Sequence, residues 1–336
     1  MFLKNITIFN YRSLSTTTIK FSKDINIIIG KNGAGKTSVL ECITILGQGK
    51  SFRPNAFKNQ TKPITIKGVF VNKNQETILF KRNKKNNIKI NNETIKTRAD
   101  LYKTIKIIFL SPEEENIINN KFSRLKYFDR LMCQNEEQSL KDLIIFNKTI
   151  KQRNAALEKK DKNIKIWDKQ LNESAQRVWK NRKTFFTKIK EKINIEMPQY
   201  YVNYKSTKPI NYLDQLTKNI TIDLLKQKTT QGPHKDKIEI TFNKQDLKDT
   251  GSQGEKKLFT STLKHIESNL KKSPKPIILL DDFFAKLDKK NIIKTLLKHT
   301  NKNQTIITTT DTTNINKEIE EIQRQNQTKE IKIIKL

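Results

Sequence analysis

Residues 25–37 read Ile-Asn-Ile-Ile-Ile-Gly-Lys-Asn-Gly-Ala-Gly-Lys-Thr. The apolar start predicts a buried strand, and the rest matches the phosphate-loop pattern G-x-x-x-x-G-K-[ST] ahead of a helical stretch. In that pattern the glycines let backbone N–H groups approach the phosphates, and the helix N-terminus faces the anion. The alternative is a glycine-rich turn that matches by chance, but strand, loop and helix are all in place. The residues expected to bind the nucleotide are Gly30, Lys31, Asn32, Gly33, Ala34, Gly35, Lys36 and Thr37.

Lys36 of this loop and two carboxylates near the C-terminus form a predicted catalytic group, and Thr37 is a predicted metal ligand. Lys36 should reach the β- and γ-phosphates, and the Thr37 hydroxyl should take a Mg²⁺ position. Residues 276–282 read Pro-Ile-Ile-Leu-Leu-Asp-Asp, an apolar strand that ends where ligands bind in open α/β sheets. We expect Asp281 to hold Mg²⁺ through water and Asp282 to orient or deprotonate the attacking water. Without a phosphate loop, the same residues would indicate only an acidic turn after a core strand.

A second predicted anion site lies upstream of that strand. Residues 251–255 read Gly-Ser-Gln-Gly-Glu and precede a helical stretch at residues 256–270. Ser252 and Gly254 at a helix N-terminus favour a phosphate ligand. One nucleotide does not need two γ-phosphate sites on one chain, so we expect this site to contact the nucleotide of a partner subunit. Taken alone, the segment would be a capped helix start.

The order of these motifs resembles a known superfamily. Phosphate loop, Ser-Gln-Gly-Glu, acidic strand and Ala285-Lys286-Leu287-Asp288 are arranged as in the ABC-type ATPase heads, and other stretches are similar to the RecF family. Those stretches are Asn10-Tyr11-Arg12-Ser13, residues 47–53 (Gly-Gln-Gly-Lys-Ser-Phe-Arg), Ser111-Pro112-Glu113, Gln152-Arg153-Asn154, residues 167–171 (Trp-Asp-Lys-Gln-Leu) and Gly232-Pro233-His234-Lys235-Asp236. The resemblance implies an α/β fold, an ABC-type ATPase head with a P-loop parallel sheet, an antiparallel sheet and an inserted helical lobe.

The resemblance also implies a function. A RecF-like protein would bind ATP and Mg²⁺, form an ATP-dependent homodimer and bind DNA at gapped duplexes or single-strand/double-strand junctions. With RecO and RecR it would help to load the RecA recombinase in DNA repair and replication restart. Arg12 has two open interpretations: contact with the bound nucleotide, as in related heads, or an exposed turn residue.

Two departures separate this chain from transporter-type heads. The strand at residues 304–308 runs into Thr309-Thr310-Asp311, with threonine where those heads keep a histidine. The second carboxylate, Asp282, is aspartate rather than glutamate, and the shorter reach of aspartate suggests slow hydrolysis. We therefore expect a weak DNA-dependent ATPase. The alternatives are the ATP-hydrolysing subunit of a membrane transporter and a DNA clamp that binds ATP without hydrolysing it.

Composition agrees with these expectations. The chain has 336 residues, room for about two domains, with no apolar run that could span a bilayer and no leader-like start, so a cytoplasmic location is expected. Two cysteines predict neither a disulfide framework nor a metal site. The net charge of +33 favours anionic partners, although an A/T-rich genome also enriches lysine. Residues 116–205, with 21 basic and 10 acidic residues, are close to the chain average. The sequence therefore cannot locate a DNA surface.

Periodicity predicts the coarse organisation. Apolar alternation predicts strands at residues 3–9, 64–71, 77–80 and 87–90, which suit an antiparallel sheet, and long amphipathic helices from about 114 to 201. We expect an ATPase lobe at residues 1–113 with the phosphate loop, a helical insert at 114–203, and the remainder of the ATPase lobe at 204–336.

A few side chains outside the motifs have predicted settings. Arg124, Lys126 and Arg130 share a helix face that would be solvated or would contact DNA. His234 should fix a turn through its ring. Trp167 and Trp179 should pack in the helical core.

Overall fold

The computed structural model describes residues 1–53, 56–58, 61–72, 74–83, 85–95, 97–110, 116–161, 164–270, 274–281, 303–310 and 330–336. The chain divides into two compact units: unit 1 comprises Met1–Glu114 and Glu267–Leu336, and unit 2 comprises Glu115–Ile266. Unit 1 is therefore built from both ends of the chain.

Unit 1 contains an antiparallel sheet with the strand order β2-β1-β4-β5-β6-β7. The alternation that predicted it is real: Ile64, Ile66 and Phe70 are buried, whereas Lys67 between them is exposed. The four predicted strands are confirmed, but β2 was not predicted because its central threonines carry no apolar alternation. The strands are β1 (Phe2–Tyr11), β2 (Leu14–Lys20), β4 (Ile64–Val71), β5 (Gln75–Arg82), β6 (Asn86–Ile90) and β7 (Glu93–Thr94).

A parallel sheet with the strand order β14-β3-β13-β12-β8 forms the second layer of unit 1. Its strands are β3 (Ile25–Ile29), β8 (Ile107–Leu110), β12 (Ile277–Leu280), β13 (Thr305–Thr309) and β14 (Ile331–Lys335). All residues of β3 and β12 are buried, as expected for strands covered on both faces. The predicted strands after Asp24 and before Asp281 are therefore confirmed, and β8 and β14 are additional.

Helix α1 (Lys36–Gln48) packs against both sheets of unit 1. Its side chains Val39, Leu40 and Ile43 join the core that contains residues of the antiparallel sheet and of β8, β12 and β13. Cys42 is fully buried in this helix. A shorter helix, α2 (Arg98–Thr104), contacts α1. This packing fixes the helix that follows the phosphate loop.

Unit 2 begins with four helices: α3 (Asn116–Asn119), α4 (Lys121–Asn135), α5 (Glu137–Glu158) and α6 (Ile164–Glu196). The long pair α5 and α6 packs side by side, and Phe146, Leu171 and Trp179 form part of its core. The predicted helical region is confirmed, and α6 ends just before Pro198.

An α/β segment completes unit 2. A three-stranded antiparallel sheet has the order β11-β10-β9, and α10 crosses into unit 1 at residue 267. The elements are β9 (Tyr200–Lys205), α7 (Tyr212–Lys218), α8 (Ile220–Lys226), β10 (Lys237–Phe242), β11 (Gln245–Asp246), α9 (Leu247–Thr250) and α10 (Gln253–Asn269).

The expected boundary at residues 203/204 does not separate the two units. It falls inside β9, which pairs with β10 along its whole length, and α6 packs on β9 while α4 packs on β10. The α/β segment therefore shares its contacts with the helices, and the division lies at residues 266/267. Ser252 and Gly254 consequently belong to unit 2 rather than to the unit that contains the phosphate loop.

Candidate nucleotide site

The phosphate loop connects β3 to α1 through two glycines in left-handed backbone conformations. Gly33 has φ 85° and Gly35 has φ 97°, values that residues with a Cβ rarely adopt. A Cβ on Gly35 would also lie 2.7 Å from Cδ2 of Leu14. The turn therefore requires glycine at residue 35 for both conformation and space.

Lys36 closes the loop on itself. Its Nζ donates hydrogen bonds to the carbonyl oxygens of Gly30 at 2.8 Å and Lys31 at 3.0 Å, so the loop curls around the ammonium group. At the start of α1 none of the described side chains caps the helix, and the first-turn N–H groups have no partner within the helix. A cationic side chain and an uncapped helix N-terminus at one loop suit an anionic ligand such as a polyphosphate.

The carboxylate of Asp281 meets the start of α1. Its Oδ1 accepts hydrogen bonds from the hydroxyls of Thr37 at 3.0 Å and of Thr308 at 2.7 Å. The sheet explains this meeting, because Asp281 follows β12, Thr308 is on β13, and β13 lies between β12 and β3. A carboxylate and a hydroxyl are oxygen ligands of the kind Mg²⁺ takes in nucleotide sites, so the residues present fit that ion.

Thr308 is a member of this site that the sequence reasoning missed. The signal available in the sequence was a pair of threonines, Thr308 and Thr309, directly after two isoleucines in a predicted strand; the structure shows that both are buried. Thr309 is the last residue of β13. Asp282 lies outside the described residues, as do Ser111-Pro112-Glu113, Ala285-Lys286-Leu287-Asp288 and Asp311.

Arg12 forms an ion pair with a buried carboxylate of α1. Its Nε lies 2.7 Å from Oε2 of Glu41, and a second nitrogen donates to Oε1 at 3.1 Å. Glu41 is fully buried and also accepts a hydrogen bond from the Ser51 hydroxyl. Nη1 of Arg53 lies 3.7 Å from Oε2 of Glu41. Burial acts to lower the pKa of Arg12, but the hydrogen bonds and charges of Glu41 and Tyr11 together outweigh it, so the pKa is raised. Arg12 is thus anchored to the helix of the phosphate loop, and its contact with a nucleotide stays a prediction.

The Ser-Gln-Gly-Glu segment forms a reciprocal cap at the start of α10. The Ser252 N–H donates to Oε2 of Glu255 at 2.7 Å, and the Glu255 N–H donates to Oγ of Ser252 at 3.3 Å. This is a capping box. Ser252 and Gly254 are exposed, and a Cβ on Gly254 would meet nothing closer than Oγ of Ser252 at 4.0 Å. The segment therefore presents a capped but solvent-accessible helix N-terminus on unit 2.

Buried arginines organise unit 2. Arg153 pairs with Asp168 and Asp223, each at 2.6 Å, and Arg182 pairs with Asp129 at 2.9 Å and Asp236 at 2.7 Å. Two stretches similar to the RecF family, residues 152–154 and 167–171, thus meet through the Arg153–Asp168 pair, and Asp236 of a third stretch pairs with Arg182. Sequence reasoning did not find this, because an arginine inside a long polar helix gives no signal of burial.

Two predictions for individual side chains are confirmed in unit 2. Nε2 of His234 is 3.0 Å from the Thr229 carbonyl oxygen, which fixes the turn. Trp179 is buried in the helical core and donates to Asp236 at 3.1 Å. Trp167 is only half-buried, so it contributes less to that core than predicted.

The prediction that Arg124 shares an open helix face is wrong. Arg124 is 2% exposed and donates to the carbonyl oxygens of Ile117 at 3.0 Å and Ile238 at 2.6 Å, and also to that of Ile118. Burying the guanidinium is tolerated because these carbonyls satisfy its donors. On the same helix, Lys126 is exposed over the Phe122 ring and Arg130 lies over the Tyr127 ring.

Comparison with known proteins agrees with this geometry. The family model described as RecF/RecN/SMC N terminal domain matches residues 2–332. The protein named DNA replication and repair protein RecF from Clostridium botulinum (strain ATCC 19397 / Type A) is 30% identical, over 97% of each chain. The chain belongs to the RecF family. The RecF of Agathobacter rectalis is 32% identical, over 92% of each chain.

Solved structures extend the likeness to the fold. A RecF structure described as the recombination mediator protein RecF-ATP in the RecFOR pathway has a TM-score of 0.83 and 28% identity, covering 93% of this chain and 92% of that one. An Smc head bound to the C-winged helix domain of ScpA has a TM-score of 0.50 and 15% identity, a likeness of fold alone. This chain, a member of the RecF family, therefore has the predicted ABC-type ATPase head fold. None of its described helices is long and apolar enough to cross a membrane.

Proposed function

We propose that this protein is an ATP-dependent, DNA-binding recombination mediator of the RecF type. The observation that carries the proposal is the hydrogen bond between Thr37 and Asp281, which joins the phosphate loop to the acidic strand. Its relatives named DNA replication and repair protein RecF support the assignment. A RecF solved with ATP has the same fold. The protein would act in the cytoplasm, in DNA repair and replication restart.

The chain's own residues divide the work at the nucleotide. The N–H groups from Gly33 to Thr37 would bind the phosphates, and Lys36 would exchange its loop carbonyls for the β- and γ-phosphate oxygens. Thr37 and Asp281 would hold Mg²⁺, which when bound neutralises charge developing on the transferred phosphoryl group. Asp282 would orient the attacking water.

Dimerisation would use two predicted anion sites, one at the N-terminus of α1 and one at the N-terminus of α10. Ser252 and Gly254 of each subunit would contact the γ-phosphate bound by the partner subunit, so two ATP molecules would join two chains. The dimer would hold gapped or junction DNA and would act with RecO and RecR. Slow, DNA-stimulated hydrolysis would release it. The alternative of a clamp that does not hydrolyse ATP differs only in this last step.

Light scattering on the purified protein tests this proposal. We expect the mass to double when ATP and Mg²⁺ are added, and the dimer to retain gapped duplex DNA, whereas Lys36→Met should stay monomeric. Phosphate release measured with and without DNA separates a slow ATPase from a non-hydrolysing clamp. If ATP binds and changes neither the mass nor the affinity for DNA, the proposed dimer mechanism is wrong.

A further inference from the structure

Two neighbouring grooves on unit 2 are lined by lysines. The first, of about 700 Å³, is lined by Thr207, Thr230, Gln231 and four lysines. The second, of about 670 Å³, is lined by Trp179, Tyr204 and three lysines, among other residues. Both are bordered by the segment 204–208 at the end of β9, and we call their seven lysines the lysine track. Its members are Lys180, Lys183, Lys208, Lys226, Lys228, Lys235 and Lys237.

The lysine track is not balanced by acidic side chains. The whole chain has 34 acidic against 67 basic residues, yet no carboxylate of the described chain lines either groove. The adjacent Asp223 and Asp236 are buried and paired with Arg153 and Arg182. All seven lysines are exposed, and none is in an ion pair within the described residues. The two grooves therefore present seven positive charges with no ion-pair partner among the described residues.

Strand pairing places positive charges opposite one another at this surface. Lys237 on β10 is the register partner of Lys205 on β9, and like charges directly opposite in a sheet are destabilising. Lys205 has some compensation from Glu239 at 3.6 Å, but Lys237 has none in the described structure. Fold stability does not explain this arrangement, whereas an anionic partner does.

The segment from residue 226 to residue 237 carries four of the lysines, and hydrogen bonds to neighbouring residues of unit 2 fix its backbone. The Thr229 N–H and hydroxyl donate to the Asn154 side chain, both at 2.8 Å. The Thr230 N–H donates to Asp223 at 2.9 Å, and the Tyr212 hydroxyl donates to the Gln231 carbonyl at 2.7 Å. A fixed backbone lowers the entropic cost of binding, because only lysine side chains remain to be ordered.

We propose that the lysine track binds the phosphodiester backbone of DNA without reading its bases. This inference rests on the proposed function and deepens it by placing one DNA contact on unit 2. Lysine ammonium groups suit phosphates as point charges. Trp179, the one tryptophan in the grooves, is 2% exposed, so it offers no ring on which a base could stack. Contacts to backbone alone position DNA but do not specify sequence.

The test compares two full-length variants that lose the same charge. The track variant carries Lys226→Gln, Lys228→Gln, Lys235→Gln and Lys237→Gln. The control carries Lys148→Gln, Lys151→Gln, Lys165→Gln and Lys169→Gln, all exposed on α5 and α6 and outside both grooves. Affinity for gapped duplex, intact duplex and single-stranded DNA is measured by fluorescence anisotropy over a range of salt concentrations, with ATP present.

We expect the track variant to bind DNA at least ~10-fold more weakly than the control, and the slope of log K against log salt to fall by up to about four. A third variant with the four lysines changed to arginine should bind like the wild type. Acetylation of the four lysines in the wild type should decrease when DNA is bound but not when ATP alone is added, which distinguishes a polynucleotide from a free phosphate.

Specific outcomes would overturn the inference. Equal affinities for the track variant and the control would place the DNA contact elsewhere and leave the proposed function intact. A wild type that fails to bind DNA in any arm would overturn the proposed function as well. Unchanged ATP binding and thermal unfolding of all variants confirm that each is folded.

Discussion

At the scale of single residues, buried arginines are the most informative feature of unit 2. Arg124, Arg153 and Arg182 are each no more than 2% exposed. For Arg182, burial acts to lower the pKa, but the charge of Asp129 and its hydrogen bond raise it overall, so the guanidinium stays charged inside the protein. Such pairs are costly to break from one side, because the remaining carboxylates are left buried and unpaired.

Replacing Arg182 with methionine should therefore destabilise unit 2 strongly. Asp129 and Asp236 would both lose their cationic partner, at a cost of about 3–5 kcal/mol in the free energy of unfolding. Urea unfolding followed by helical circular dichroism measures this loss. The neighbouring Lys183 is exposed, and Lys183→Met should change stability by no more than about 0.5 kcal/mol. Similar midpoints for the two variants would contradict the structural role of Arg182.

His234 should make the stability of the protein depend on pH. Burial lowers the pKa of His234, an effect that the hydrogen bond to the Thr229 carbonyl opposes and the charges of Lys235 and Arg182 reinforce. Below the ordinary value of 6.5 the unfolded chain binds a proton that the folded chain does not. Stability should thus fall as the pH drops from 7 to about 5.5, by at most about 1.4 kcal/mol per pH unit from this group.

Thermal unfolding at several pH values, with wild type and His234→Gln, measures this dependence. Glutamine can still donate to the Thr229 carbonyl but does not titrate in this range. Its melting temperature should therefore change less on acidification than that of the wild type. Identical acid sensitivity in the two proteins would assign the effect to other groups.

At the scale of elements, the nucleotide site is made by the ends of parallel strands. β3 leads into the phosphate loop, β12 ends at Asp281, and β13 between them supplies Thr308. Each strand is short and wholly buried, so their C-terminal ends are held in register by the core. Helix α10 supplies the second predicted anion site through its capped N-terminus.

Ser252→Arg at the start of α10 should separate ATP binding from dimerisation. Arginine would obstruct the proposed contact with the partner's nucleotide, whereas ATP binding at the phosphate loop should remain. Ser252→Gly is a control for fold stability only, because it also removes the hydroxyl proposed to contact the partner's nucleotide, whereas loss of the cap to glycine costs only a few tenths of a kcal/mol. Sedimentation with ATP and Mg²⁺ should find Ser252→Arg monomeric. An ATP-dependent dimer of that variant would refute the contact.

At the scale of the whole molecule, the chain is organised around a discontinuous unit. Residues 30–37 come from the N-terminal part of unit 1, and Asp281 comes from the C-terminal part. A ligand that binds both would therefore oppose their separation. Unit 2 lies between them in sequence, with its own core and its own ionic networks.

ATP with Mg²⁺ should accordingly raise the melting temperature of the protein. At a concentration of about 100 times Kd, a ligand that binds only the folded state stabilises it by about 2.7 kcal/mol. Lys36→Met should abolish the shift measured by differential scanning fluorimetry. Lys31→Met should retain it, because Lys31 is exposed and its backbone carbonyl, not its side chain, contacts Lys36. Loss of the shift in both variants would argue against the assigned role of Lys36.

Local patterns in the sequence were enough to predict the phosphate loop, the alternating strands of the antiparallel sheet, the two buried parallel strands and the helical insert. Each of these depends on residues within a dozen positions of one another, through alternation, helical period or the need for glycine. The capped start of α10 belongs to the same class.

Only the tertiary structure decided which charged residues are buried and which exposed lysines line the same grooves. Arg124 seemed equivalent to Lys126 in sequence, yet its donors are satisfied by carbonyls as far away as Ile238. The pairing of Asp281 with Thr37, the division at residues 266/267 and the lysine track likewise depend on contacts between distant segments. The physical reason is that desolvation depends on every neighbour that surrounds a charge, and chain order does not specify those neighbours.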